Sequence, residues 1–244
     1  MRALSSSQLL SVWECERGAG QVERALSLLE AASPGFARDA LAELPVGRRD
    51  ADLLRLRELT FGPRLVSHAA CPSCGETLEL NFSVDDIKAM NESQMPETFT
   101  SRLRDYDVCF RLPNSLDLLA VAHCAELDAA RQLLFKRCIT FVQHGDEEIG
   151  PDNLPPDVSD HVIEQMSQAD SQADVKLALL CPACQHEWRA LFDIVSFFWS
   201  EIDAWARRLL QEVHIIATAY GWREADTLAL SPQRRRFYLE MILG

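Results

Sequence analysis

The sequence lacks an uninterrupted membrane-length apolar run, a phosphate-binding glycine loop and any broad cluster of positive charge. Its most apolar stretch, residues 194–220, is broken by Glu201, Asp203, Arg207, Arg208 and Glu212. Those charges would be costly at the centre of a bilayer, so no membrane span is expected. Residues 1–18 have no signal-type apolar segment and already carry Glu14 and Glu16, which argues against secretory export and for synthesis and residence in the cytoplasm. Lys and Arg number 24 against 37 Asp and Glu, giving a net charge of −13. Such a field repels phosphate backbones and argues against nonspecific nucleic-acid binding. Eight cysteines in 244 residues are too few for a disulfide scaffold. GxxxxGK[ST], HExxH and GxSxG are missing, as is a GxGxxG following a strand. No enzymatic motif is present, and neither catalytic residues nor a small-molecule substrate are expected.

What is present is helical periodicity interrupted twice by strand-like alternation. Leu9, Leu10 and Trp13 form one apolar face, and Val22, Ala25, Leu26, Leu29 and Ala32 another, with Leu53, Leu56 and Leu59 continuing the period after Leu44-Pro45. Three or four short helices therefore precede residue 63. The sequences around Cys71-Pro72-Ser73-Cys74 and Cys181-Pro182-Ala183-Cys184 each alternate as strand, turn, strand, so both cysteine pairs are expected at hairpin tips. Between them a strand is expected at 108–112, a helix pair from Ser115, capped by Asn114 with Asp117, to about Thr140, an exposed loop over 145–157 and a short helix at 158–167. Phe198, Ile202, Trp205, Leu209, Val213, Ile216 and Tyr220 then form one stripe at helical spacing, stopped by Gly221, and Ser231-Pro232 opens a last helix.

The expected fold class is α+β and mainly α-helical: a split zinc ribbon of two CPxC hairpins with a long α/β insertion, flanked by N- and C-terminal helices. Its parts are an N-terminal helical region (1–63), a split ribbon (64–84 with 175–193), an insertion (85–174) and C-terminal helices (194–244).

A CxxC turn lets two thiolates face one ion while backbone N–H groups support the sulfurs. Two such turns predict one structural zinc held by Cys71, Cys74, Cys181 and Cys184, with no open coordination position for catalysis. The alternative is two separate thiol turns or one disulfide in each. The gap of 106 residues between Cys74 and Cys181 costs roughly 4 kcal/mol to close. A structural zinc site supplies about 10–16 kcal/mol in small peptides, which outweighs it.

His186 and His68 are lesser ligand candidates, each read first as a surface or hydrogen-bonding residue. Cys15, Cys109, Cys124 and Cys138 read as core-packing thiols on apolar faces. Arg234, Arg235 and Arg236, beside Phe237 and Tyr238, form the one concentrated basic run. They are candidate partner-binding residues, a solvated or internally paired face being the competing reading. A zinc-ribbon regulator or accessory protein contacting nucleic acid is the rival functional reading, although residues 71–82 contain no Lys or Arg.

The chain resembles the baseplate proteins of contractile-tail bacteriophages and contractile injection systems, and is similar to baseplate hub assembly proteins. The resemblance is carried by LPVGRRDADLLRLRELTFGPRL leading into CPSCGETLELNF, by FRLPNSLDLLAV with LLFKRCI, by CPACQHEWRALFDI, and by AYGWREADTLALSPQRRRFYLEMI. It implies a non-enzymatic structural or chaperone-like protein whose partners are other baseplate or tail proteins, and which can end up in a phage-tail-like particle. It carries over no catalytic residue.

Overall fold

The computed structural model describes residues 1–88 and 96–244; residues 89–95, part of the expected insertion, lie outside the described residues. Helices α1 (Ser6–Cys15), α2 (Gln21–Ala32), α3 (Arg38–Ala42) and α4 (Val46–Phe61) come first. The Ser5 hydroxyl accepts from the Gln8 N–H while the Gln8 side chain accepts from the Ser5 N–H, satisfying two orphan donors at the start of α1. Leu9, Leu10, Trp13, Leu26, Leu29, Leu53 and Leu56 are buried together.

Two antiparallel hairpins carry the cysteine pairs: β1 (Arg64–Ala70) with β2 (Thr77–Ser83), and β7 (Lys176–Leu180) with β8 (Glu187–Leu191). A single turn, α5 (Val84–Ile87), follows the first hairpin. The inserted region contains β3 (Phe99–Leu103), β4 (Tyr106–Phe110), α6 (Ser115–Val121), α7 (Leu127–Cys138), β5 (Ile139–His144), β6 (Glu147–Glu148) and α8 (Pro156–Ala169). Its strands form one antiparallel sheet in the order β3-β4-β5-β6. Val108, Phe110, Val142, Cys138, Val158 and Val162 make a second core under it.

Three details differ from the sequence reading. The strand expected at 108–112 is Tyr106–Phe110, and it has partners on both sides. The helix expected to reach Thr140 ends at Cys138, where Ile139, Thr140, Phe141 and Val142, β-branched or aromatic, continue as a strand. The expected loop over 145–157 holds strand β6, a 3₁₀ turn at Pro151–Asn153 and the start of α8.

Helix α9 (Ile194–Tyr220) answers the apolar stripe. Phe198, Ile202, Leu209, Val213 and Ile216 are buried as its spacing requires, joined by Trp199 and Ala206, whereas Tyr220 is 40% exposed. Fully burying a side chain of this size contributes about 1.5–3 kcal/mol, so packing rather than propensity holds a helix this long. Its first half packs on α1, α2 and α4, and its second half on α10 (Glu224–Leu228) and α11 (Pro232–Leu243). The stripe is therefore covered by its own chain.

Candidate metal centre

The two cysteine turns repeat one another at an offset of 110 residues. In the first, the Cys71 N–H donates to the Glu76 carbonyl (2.8 Å) and the Gly75 N–H to the Cys71 carbonyl (2.9 Å). In the second, the Cys181 N–H donates to the His186 carbonyl and the Gln185 N–H to the Cys181 carbonyl, both at 2.9 Å. Each turn needs a residue with positive φ: Gly75 takes +79° and Gln185 takes +59°. Glycine does so without steric cost, whereas glutamine is strained there.

These turns bring four sulfurs together. Cys71 Sγ lies 3.7 Å from Cys184 Sγ, Cys74 Sγ lies 3.6 Å from Cys181 Sγ, and all four lie within 4.8 Å of one another. A disulfide would need about 2.05 Å. A tetrahedron with metal–sulfur bonds of 2.3 Å has edges of about 3.8 Å, so the spacing fits an ion at the centre. Cys71 and Cys181 are buried and Cys74 and Cys184 face outward, giving each turn one inner and one outer ligand.

The two thiols of the first turn differ in acidity. Burial opposes ionisation of Cys71, but the N–H groups of Cys74 and Ser73, with the Cys184 and Cys74 side chains, draw its pKa down to about 7. The Glu76 N–H favours the Cys74 thiolate, yet the neighbouring side chains of Cys184 and Cys181 push its pKa up to about 12. A dication among the four sulfurs would favour the thiolate at each, because a coordinating thiol is deprotonated outright.

His68 and His186 are exposed on their hairpins and stand outside the sulfur cluster; the His186 ring stacks on Trp188 at 6.1 Å between centroids. Among the spare cysteines Cys138 is buried, Cys109 and Cys124 are half-buried, and Cys15 is exposed. Cys124 lies in the turn between α6 and α7 rather than on a helix. In the basic run, Arg234 and Arg236 are exposed, whereas Arg235 is buried and donates to Glu212 (3.0 Å) and to the Leu230 carbonyl (2.7 Å). Phe237 is 63% exposed, and the Tyr238 ring meets Tyr220 and Trp222 edge-on.

A second constellation, invisible in the sequence, joins the N-terminal helices to the inserted region. The Val46 N–H donates to the Pro113 carbonyl, and the Gly47 N–H to the Asp170 carboxylate, both at 2.9 Å. A Cβ on Gly47 would lie 1.7 Å from Asp170 Oδ1, so only glycine allows this approach. Buried Arg49 donates to Asp50 (2.8 Å) and Ser115 (3.3 Å). Farther along, Asp117 is fully buried and accepts from Arg111 (2.5 and 2.9 Å), Arg137 (2.9 Å) and the Asn114 N–H (3.0 Å). Burial works against the Asp117 charge, but these donors win and hold its pKa below the ordinary carboxylate range. Asp170 has the opposite balance: burial raises its pKa despite the Gly47 N–H, and among the described residues its Oδ1 has no hydrogen-bond partner. Glycine 47 stands out in the sequence only as a glycine at a helix start. No local signal pairs it with residue 170.

The segments that form this junction and the two cysteine hairpins fall within one stretch of known family character. Residues 21–199 match the family described as T4 bacteriophage base plate protein. No curated protein and no solved structure matches the chain. The match takes in α2 to α8, both cysteine turns and the start of α9, well over half of the chain, and on that ground the chain belongs to the T4 bacteriophage base plate protein family.

Proposed function

We propose that this protein is a non-enzymatic structural or assembly component of a contractile-tail baseplate, acting through contacts with other baseplate or tail proteins on a scaffold stabilised by one zinc ion. The family match over residues 21–199 carries the baseplate part of this reading. The sulfur tetrahedron carries the zinc part, since four thiolates at these distances suit zinc and leave no position for a catalytic water. In this reading Cys71, Cys74, Cys181 and Cys184 lock the two roots of the inserted region together. The mixed core and the insertion are then presented to partners in one fixed orientation, as a rigid adaptor requires.

A chaperone-like part in building the hub follows the same logic, and a deletion tests it. Sheath and tube proteins are expected to accumulate in cells lacking the gene while baseplates remain incomplete by negative-stain microscopy. Normal particles from the deletion strain would sink the assembly reading. Metal analysis of the purified protein tests the scaffold separately, with one equivalent of zinc expected and unfolding of the hairpins on strong chelation.

A further inference from the structure

The cleft between the α1–α2 connection and α9 is basic in a chain that is otherwise strongly acidic. It encloses about 410 Å³, and Arg17, Arg24 and Arg207 line it with Trp199, Ser200 and Asp203. Three arginines against one aspartate give a local charge of +2, compared with −13 for the whole chain. Asp203 is already occupied: it accepts from Arg207 at 2.8 Å and from the Trp13 indole N–H at 2.9 Å.

Arg17 and Arg24 are held differently from the buried arginines Arg49, Arg57 and Arg235, each of which closes on an Asp or Glu. Arg17 lies over the Trp13 ring at 5.0 Å and Arg24 over the Trp199 ring at 4.4 Å. Among the described residues neither makes an ion pair. Among the described residues Arg24 donates only to the carbonyls of Glu16 and Arg17, at 3.2 and 3.1 Å, leaving most of its donors unused there. Stacking on an aromatic face fixes the plane of a guanidinium and leaves its edge open to acceptors. Side chains already held in place lose less freedom on binding.

We propose that this cleft binds a short acidic segment of a neighbouring protein, with Asp or Glu carboxylates taken by Arg17 and Arg24. This deepens the reading of the chain as a protein-contact component by giving one contact its chemistry. A nucleic acid is the poorer occupant, because the surrounding acidic field opposes a polyphosphate, whereas a short acidic segment need only enter the cleft.

The test uses the full zinc-loaded chain titrated with hexaglutamate at low ionic strength, followed by NMR of the Trp13 and Trp199 indole N–H signals. Saturable shifts of both signals are expected, together with suppression by salt and no response to hexalysine. Arg17 is exposed, so Arg17→Glu should keep the fold, checked by circular dichroism; Arg17→Gln serves as a milder second variant. Affinity should fall about tenfold or more in Arg17→Glu, less in Arg17→Gln, and stay unchanged in Arg131→Glu on the distant helix α7. The proposal is overturned by the absence of a saturable shift, by equal affinity in Arg17→Glu, or by equal loss in Arg131→Glu. Tighter binding of oligothymidylate to the same signals would also overturn it and assign the cleft to phosphate. No baseplate enters this experiment, so its failure leaves the assembly reading standing, and failure of the deletion test leaves the cleft result standing.

Discussion

The two cysteine hairpins share a turn geometry and diverge in what they pass the chain on to. Both have the same pair of turn hydrogen bonds, one inner and one outer cysteine, and a phenylalanine at the foot of the outgoing strand. Phe82 and Phe192 occupy equivalent positions and meet edge-to-face, with centroids 5.6 Å apart. The next residue, Ser83 in one and Asp193 in the other, is the N-cap of a helix that starts one position later. There the likeness stops: α5 is one turn of four residues, while α9 runs for 27. A CPxC turn dictates its own few residues and the support of its sulfurs. The length of the helix that follows is set by whether apolar residues keep recurring at helical spacing, which the Ile194–Tyr220 segment does.

The largest effects are expected at the ligands. If both hairpins share one ion, Cys71→Ser and Cys181→Ser should each abolish stoichiometric zinc, read by metal analysis, and should lower the melting temperature by similar amounts. Zinc retention in either variant would mean that the turns do not share a site. Next in size come the paired rings. Phe192 also packs on Phe197 at 5.3 Å, so Phe192→Ala should cost about 3 kcal/mol and Phe82→Ala about 2, both tempered by incomplete burial. Chemical denaturation would rank them, and the reverse order would show that the hairpin feet are not packed as described.

Smaller effects are expected at the caps. The Asp193 carboxylate accepts from the Val195 N–H at 3.0 Å and also from Ser196 and Gln21. Asp193→Ala should therefore cost about 1 kcal/mol or slightly more, and Ser83→Ala about 1 or less. The smallest change is the most diagnostic of the turn itself. Gln185→Gly should stabilise the protein by about 0.5–1 kcal/mol by relieving the left-handed conformation, and Gly75→Gln should destabilise it by about 1. A melting-temperature shift of the same sign for both would contradict the equivalence of the two turns.

Much of this hairpin pair is legible in the sequence because its rules are local. The CPxC spacing, the alternation of Leu78, Leu80 and Phe82, and the helical period from Phe198 each involve residues a few positions apart. The Asn114 cap with Asp117 and the Ser231-Pro232 start are legible for the same reason, and both form. What escapes is what distance in the chain conceals. The β3-β4-β5-β6 sheet depends on pairings such as Phe110 with Ile139, and Ile139 sits directly after a helix whose period runs into it. Arg57, buried and clamped to Glu201 at 2.6 and 2.8 Å, has no local signal that points to a partner 144 positions away. Arg235 reads as part of a basic run until its partner Glu212 is seen. Gly47 and Asp170, 123 positions apart, give no sign of each other at all.

The separation of the two cysteine turns also matters in time. A ribosome adding about 5–20 residues per second completes the second turn roughly 5–20 seconds after the first. In the zinc reading, Cys71 and Cys74 are during that interval half a coordination shell whose other two cysteines are not yet made. Two nascent chains on one message, each with such a half-shell, have the components of a crossed pair, in which one chain's first turn closes on another's second. The inserted region, whose own buried core lies wholly between the turns, is complete before the second turn emerges, whereas the core on α1, α2 and α4 also needs Ile194 to Ala206 of α9.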